Sequence, residues 1–363
     1  MAGEWRLLRL GAVEPLKAQA LYEAVAIAVG RGLVGRTVIL CHPASPYVCI
    51  GYHQELEKEV DVDFCRSQGL PIIRRTLGGG ATYLDSQQEF YQIVAPEDEF
   101  PKPVGEAFRH FLQATVYVYR AFGLPAEYKP INDVVIGGRK ASGNGAGTFE
   151  GSAILVGNVI LDMNYDMMAR VLKVPDEKFR DKLAKSMKDW VTSLKRELGY
   201  IPPREKIQEL LVEGYEKIGM KLVPGELTRE EVRIFEEEVK PRHLSEDWLR
   251  MPEMRHPSLG RAVKVMAGVK VVEASHKARK LIRVTMEVAE GKIRDILISG
   301  DFFMLPETAH PKLEETLIGA PLERGEVEKR VEEFYEKFGV QTPGMKPSDF
   351  VDAIMKAAEL AIE

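Results

Sequence analysis

Cysteine is scarce in this sequence: three in 363 residues, Cys41, Cys49 and Cys65, all within its first fifth. So few, and an odd number, argue against a disulfide framework and for reduced thiols serving as small buried apolar residues. Histidine is thin as well. Seven are scattered with no HxxxH or CxxC spacing, so no metal-ligating cluster of protein side chains is expected. A basic excess is also missing. Fifty Lys and Arg stand against 55 Asp and Glu, net −5, which argues against nucleic acid as a partner held by bulk charge. No signal peptide is read in Met1-Ala2-Gly3-Glu4-Trp5-Arg6. The most apolar early stretch, 18–41, is broken by Glu23, Arg31 and Arg36, so no membrane span is expected. These absences together lead to the expectation of a cytoplasmic protein. The wealth of Glu, Lys and Arg beside little Gln leans toward a thermophile composition.

What is present suffices for a packed core: 45% hydrophobic and 29% charged residues. The length suits two domains. Helical apolar spacing marks 15–28, 103–122 and 204–218, and Thr228 opens another helix with Glu230 and Glu231 in its first turn. Short β-rich runs mark strands at 37–41, 47–50, 71–75, 90–94, 133–136 and 154–161, with 137–151 read as a glycine-rich turn. Proline, histidine and charge at 242–260 mark a domain boundary. Beyond it come a hairpin, 281–288 and 292–299, turning at Glu290-Gly291, and helices at 312–317, 324–338 and 347–362. The lack of a regular strand–helix alternation predicts an α+β fold, with a mixed-sheet domain over 1–252 and a smaller α/β C-terminal domain over 253–363.

Two segments could carry chemistry. Residues 74–85 read RRTLGGGATYLD. Three consecutive glycines are costly in conformational entropy and make sense where backbone approaches a ligand. Exposed amides there could cradle phosphate, and an arginine could fork onto it. A solvated hairpin tip fits the same residues. Residues 132–147 read NDVVIGGRKASGNGAG. Lys140 lies between glycine patches, where an ammonium could meet developing negative charge; a surface lysine in a turn is the plain alternative. Asn132 and Asp133 suit a ribose, a magnesium ion or a simple turn. A Walker loop is excluded, since Gly-Arg-Lys-Ala lacks the required pattern. The 143–147 glycines precede an apolar strand rather than the helix that a dinucleotide fold needs.

Taken jointly, the two segments resemble the lipoate–protein ligases, within the biotin/lipoate ligase superfamily. RRTLGGGATYLD and NDVVIGGRKASG match that family's two segments in order and gap, with a helix between. IGYHQ at 50–54 resembles its IGxxQ strand end, VTSL at 191–194 its VTNL segment, and GKIRDILISGDF at 291–302 the start of its C-terminal accessory domain. The resemblance implies an ATP-dependent ligase that activates lipoate or octanoate as the acyl-adenylate and passes it to a lysine of a carrier protein. Lys140 would be the catalytic residue, touching the carboxylate and the α-phosphate. Arg75, Gly78, Gly79, Gly80, Ala81, Thr82, Tyr83, Asn132 and Asp133 would hold ATP and the adenylate. Gly51, His53, Gly79 and Gly143 would line the lipoyl pocket. Mg2+ would arrive with ATP, near Asp133. The partner would be a lipoyl-carrier domain: an E2 subunit, a glycine-cleavage H-type protein or a specialised lipoate-binding protein. The enzyme would act as a monomer.

Transferases on this fold use a cysteine downstream of the lysine, and no cysteine follows Cys65. Cys49, near the proposed acyl pocket, keeps an ATP-independent lipoyl or octanoyl transferase open. A non-catalytic acyl-binding relative is the third reading. The chain departs from the family in SGNGAG, around Gly145, and in Leu155-Val156-Gly157-Asn158, where HG(T/S) is usual. Those departures bear on acyl specificity.

Overall fold

The computed structural model describes residues 3–174, 176–256, 259 and 269–362. The fold is α+β, and contacts divide the chain into two compact units. The first comprises Met1–Cys49, Val60–Arg75 and Thr82–Ser245; the second, Ile50–Glu59, Thr76–Ala81 and Glu246–Glu363.

The first unit is built on a six-stranded mixed sheet. Its order is Asn144–Phe149, Ser152–Ile160, Gln88–Pro96, Thr37–Pro43, Glu4–Val13 and Lys221–Pro224. Glu4–Val13 runs parallel to both its neighbours, and the remaining pairs are antiparallel. Parallel neighbours need a crossover, and the Pro15–Gly30 helix supplies it. Pro15 starts that helix where a missing N–H costs nothing. Its residues from Ala18 to Val29 are all buried, so it is a core helix rather than a one-faced one. Strand side chains alternate between faces. Tyr91 and Ile93 join the core with the Val104–Ala121 and Arg204–Lys217 helices, while Gln92 between them donates to Ala18 O at 2.8 Å. Glu4–Val13 is absent from the sequence reading because Arg6, Arg9 and a bulge at Gly11 interrupt its apolar alternation. Arg6 is nonetheless engaged, reaching Glu231 at 2.9 Å, and Glu231 completes a capping box with Thr228.

The 137–151 stretch corrects the reading of a single glycine-rich turn. Gly137 and Gly138, both at positive φ, close a hairpin between Asp133–Ile136 and Arg139–Ser142. Asn144–Phe149 is a sheet strand, with Gly145 and Gly147 facing Val156 and Ile154 across the ladder. Glycine content signalled loop; cross-strand pairing overrode it.

The second unit holds an antiparallel meander, Val269–Lys277, Leu281–Ala289 and Lys292–Gly300, with helices His310–Leu317, Arg324–Phe338 and Pro347–Ile362 on its core. Glu290 and Gly291 turn the hairpin, both at positive φ. Residues 50–59 are tied to the meander: Lys58 meets Glu273 at 2.6 Å, and Arg283 meets Glu59 at 3.1 Å.

A buried polar cluster joins the Met251–Arg255 helix end to this core. His256 Nδ1 lies 2.6 Å from Asp295 and its Nε2 3.1 Å from Glu314, which also meets Arg255 at 3.2 Å. Burial opposes charge on His256, but Glu314 and Asp295 outweigh it and hold its pKa above the ordinary value. His310 lies fully buried beside Glu314, and its pKa is pushed down to about 3 by that burial. A pKa raised on folding gives stability that is complete below the unfolded value and is lost as pH rises through the folded one. The stability gap between wild type and His256→Gln, measured by urea denaturation, should therefore shrink from about pH 6 to about pH 9. A gap that widens over that range would contradict this assignment.

Candidate functional site

In the first unit the site is organised by the short strand carrying Lys140. On one side Lys140 pairs with Val135 of Asp133–Ile136. On the other it forms a parallel bridge to Val191, and Thr192 N–H donates to Lys140 O at 2.8 Å. Arg139 reaches Glu197 at 2.8 Å, and the Thr192 hydroxyl donates to the same carboxylate. Ser193 caps the helix Leu194–Leu198. The VTSL segment is thus a strap on the lysine strand. Beneath, the Tyr119 hydroxyl from the Val104–Ala121 helix donates to Ala141 O and accepts from Ile160 N–H. With its backbone held on both sides, Lys140 projects Nζ to 2.7 Å from Asp133 Oδ1, both side chains partly exposed. A lysine so placed is a fixed cation open to a ligand.

A buried polar network borders it. Asn132 Nδ2 donates to Asn144 O at 2.6 Å, and Asn144 Nδ2 returns a bond to Asn132 O at 2.9 Å. The Tyr91 hydroxyl meets Asn144 Oδ1 and Ser142 Oγ. Gly143 N–H donates to Asn158 Oδ1 at 2.8 Å. Gly157 leaves the space for this: a Cβ there would lie 2.0 Å from Asn144 Oδ1 and 2.5 Å from the Tyr91 hydroxyl. Tyr91 and Asn158 support the site without belonging to either sequence segment that marks it, and Asn144 does so from within the second. Their only signal is a polar residue inside an apolar strand.

Arg75 Nη1 lies 3.3 Å from the buried Cys49 thiol, and Thr82 is Cys49's cross-strand partner. Burial pushes the Cys49 pKa up, with Arg75 only partly opposing. Burial pushes Cys65 to about 11 and raises Cys41 further. Tyr83 N–H faces Met168 Sδ at 3.0 Å. Where the YLD segment ends, a cavity of about 400 Å³ is bounded by Asp85, Asp162, Tyr165, Asp166 and Lys188 among others. Burial and the Asp162 charge raise the Asp85 pKa. The Tyr165 hydroxyl donates to Val191 O at 3.0 Å, tying this wall to the strap.

The remaining predicted residues lie in the second unit. Gly79 N–H donates to Phe302 O at 3.2 Å, and a Cβ on Gly78 would lie 2.4 Å from that oxygen. Gly80 is exposed and Ala81 half-buried. Gly51 N–H donates to Gln54 Oε1 at 2.9 Å. His53 is fully buried, stacked on Phe302 at 4.6 Å and edge-on to His310 at 4.5 Å. The predicted set is thus divided, with Arg75, Thr82, Tyr83, Asn132, Asp133, Lys140 and Gly143 in the first unit.

A family profile described as "Lipoyl protein ligase A/B catalytic domain" matches residues 14–216. The chain belongs to this lipoyl protein ligase family. A second profile, "Bacterial lipoate protein ligase C-terminus", matches 281–354. Among relatives, octanoyltransferase LipM of Kyrpidia tusciae is 30% identical over 269 residues, 67% of this chain and 97% of that protein. Lipoate-protein ligase LplJ of Bacillus subtilis is 27% identical over 294 residues, 79% of this chain and 82% of its own. A solved structure of the bipartite lipoate protein ligase of Thermoplasma acidophilum, described with its E2 lipoyl domain, aligns at TM-score 0.60 and 27% identity. It covers 72% of this chain and 99% of that one. Among the described residues, no helix is long and apolar enough to cross a membrane.

The network beneath Lys140 leaves this lipoyl protein ligase family member little tolerance at Gly157. Gly157→Ala should destabilise the protein by about 2–3 kcal/mol in denaturant titration, since the added methyl must displace Tyr91 or Asn144. A change below about 0.5 kcal/mol would show that the network yields freely.

Proposed function

We propose that the protein is an ATP-dependent lipoate–protein ligase acting on a lipoyl-carrier domain. The carrier could be an E2 subunit, an H-type protein or a specialised relative. Catalysis is assigned to residues 1–252, with 253–363 as the accessory domain. A carboxylate oxygen of lipoate or octanoate attacks the α-phosphorus of ATP, and pyrophosphate leaves. The carrier's lysine amine then attacks the anhydride carbonyl, AMP leaves, and an amide forms as the amine loses its proton. Neither step has a covalent acyl-enzyme. The demand on the protein is positioning and fixed positive charge.

Lys140 is assigned to the carboxylate and α-phosphate, with Asp133 holding its ammonium until substrate arrives. Asn132, Arg75, Thr82 and Tyr83 border the nucleotide. Gly78, Gly79, Gly80 and Ala81 complete the nucleotide side, and Gly51, His53, Gly79 and Gly143 the acyl side. Asp133 is already paired with Lys140, which suits Mg2+ carried on the ATP phosphates, whose charge it neutralises.

The observation that carries the ligase reading is the state of the thiols. All three are buried with raised pKa values, so none is a ready thiolate for a thioester route. The matched ligase C-terminus supports it too, because the LipM relative is matched over nearly its whole length by two thirds of this chain. One second reading has its own support. Similarity to LipM, with Arg75 at 3.3 Å from Cys49, favours an ATP-independent octanoyltransferase.

One mass-spectrometry experiment separates them. An unmodified E2 lipoyl domain incubated with enzyme, lipoate, ATP and magnesium should gain one lipoyl group, and Cys49→Ala should retain this activity within about threefold. Gain from an octanoyl-carrier donor without ATP, abolished by Cys49→Ala, would establish the transferase instead. No gain under either condition would leave only the acyl-binding relative.

A further inference from the structure

Gln92 interrupts the strand Gln88–Pro96, and the assigned site does not employ it. Its neighbours Tyr91 and Ile93 point into the core, so Gln92 points to the other face of the sheet. There its Nε2 donates to Ala18 O at 2.8 Å. A carbonyl only accepts, so that bond fixes which end of the amide is nitrogen and leaves Oε1 facing elsewhere. The side chain is 3% exposed, and Oε1 has no hydrogen-bond partner among the described residues. A buried acceptor left unmade is costly and calls for a donor. The side chains directly across the ladder supply none, because they are Ile39 and Val156. A bridging water needs two or more polar partners, which these neighbours do not give.

The sheet is open on the same face beside Gln92. Val156 lies on an interior strand, yet it is half-buried where Ile154, on its own face, is buried. The other cross-strand partner of Val156 is Gly145, which contributes no side chain to cover it. Asn158, two residues further on, shares the face and accepts from Gly143 N–H at 2.8 Å. A recess therefore runs from the Gly143 corner, assigned above to the acyl side, to Gln92, about 7 Å along the strand. An octanoyl chain spans that distance. Gly145 belongs to the SGNGAG departure from the family pattern, so the departure lies where the recess opens.

We propose that Gln92 selects the acyl substrate, its Oε1 accepting a hydrogen bond from a thiol or hydroxyl donor on a medium-chain acid. The reduced, dithiol form of lipoate carries such donors. The cyclic disulfide and octanoate carry none, and binding them leaves the oxygen unpaired, which is how a site built for a donor rejects its analogue. The proposal rests on the ligase reading, which supplies the acyl site.

The test follows pyrophosphate release by the full chain with ATP and magnesium on two pairs of acids. One pair is dihydrolipoate and oxidised lipoate, which share a skeleton. The other is octanoate and a hydroxyoctanoate with its hydroxyl where dihydrolipoate carries a thiol. Wild-type kcat/KM should be about tenfold higher for the donor-bearing member of each pair. Gln92→Leu should bring both ratios to within about twofold of one. A ratio, unlike a rate, is not moved by a general loss of packing. Val156→Thr sets a hydroxyl donor opposite Gln92, spares its bond to Ala18 and should abolish the preference too, so it decides the matter if Gln92→Leu does not fold. Preference in the hydroxyl pair alone would support the acceptor role and name an alcohol as the source of the donor. Wild-type ratios near one in both pairs would overturn the proposal, and so would a preference that a folded Gln92→Leu retains. If no acid releases pyrophosphate, the ligase reading fails. Calorimetric titration of wild type and Gln92→Leu with dihydrolipoate and oxidised lipoate, without ATP, then still decides the selection: tighter binding of the reduced form by wild type alone supports it, equal or absent binding refutes it.

Discussion

The first unit's site depends on the backbone grip on Lys140. One strand pairs it from Asp133–Ile136, and the Val191–Ser193 strap pairs it from the other side. A lysine on a free loop has too many rotamers to place its charge, and ordering it would consume binding energy. Here the main chain is ordered before any ligand arrives, and only the side chain's last bonds need fixing. The ion pair with Asp133 is partly exposed and contributes little stability. In the proposed reaction it would keep the ammonium aimed until a better partner arrives.

Space is the second constraint. Gly157 lets the Tyr91 hydroxyl and the Asn144 amide meet between strands, and the Asn132–Asn144 pair then fixes the corner from which the lysine hairpin springs. Gly78 plays a comparable part in the second unit, where Phe302 O occupies the room a side chain would need. Both positions show why glycine composition alone misleads. In each, glycine answers to a neighbour distant in sequence rather than to a turn.

Much of the architecture was legible. The 47–50 and 133–136 strands, the 324–338 and 347–362 helices and the Glu290-Gly291 hairpin stand where periodicity and turn chemistry put them. Glu4–Val13 and Val269–Lys277 were not, since charged outward positions hide their alternation. Lys140 and Asp133 were legible as a motif, but their pairing at 2.7 Å was not. Asn144 and Asn158 gain their meaning only from cross-strand register. That Ile50–Glu59 and Thr76–Ala81 group with the C-terminal part of the chain is a long-range fact that no local pattern encodes.

In the proposed ligase reaction a fixed ammonium at Lys140, with no thiol, drives acyl activation. The most direct measurement is pyrophosphate released by Lys140→Gln, with lipoate and ATP and without any carrier. Glutamine keeps a polar, unbranched side chain, one atom shorter, while removing its charge. The variant should lose about a thousandfold relative to wild type, the scale of removing one preorganised charge, with stability unchanged within about 1 kcal/mol. Release at the wild-type rate would contradict it.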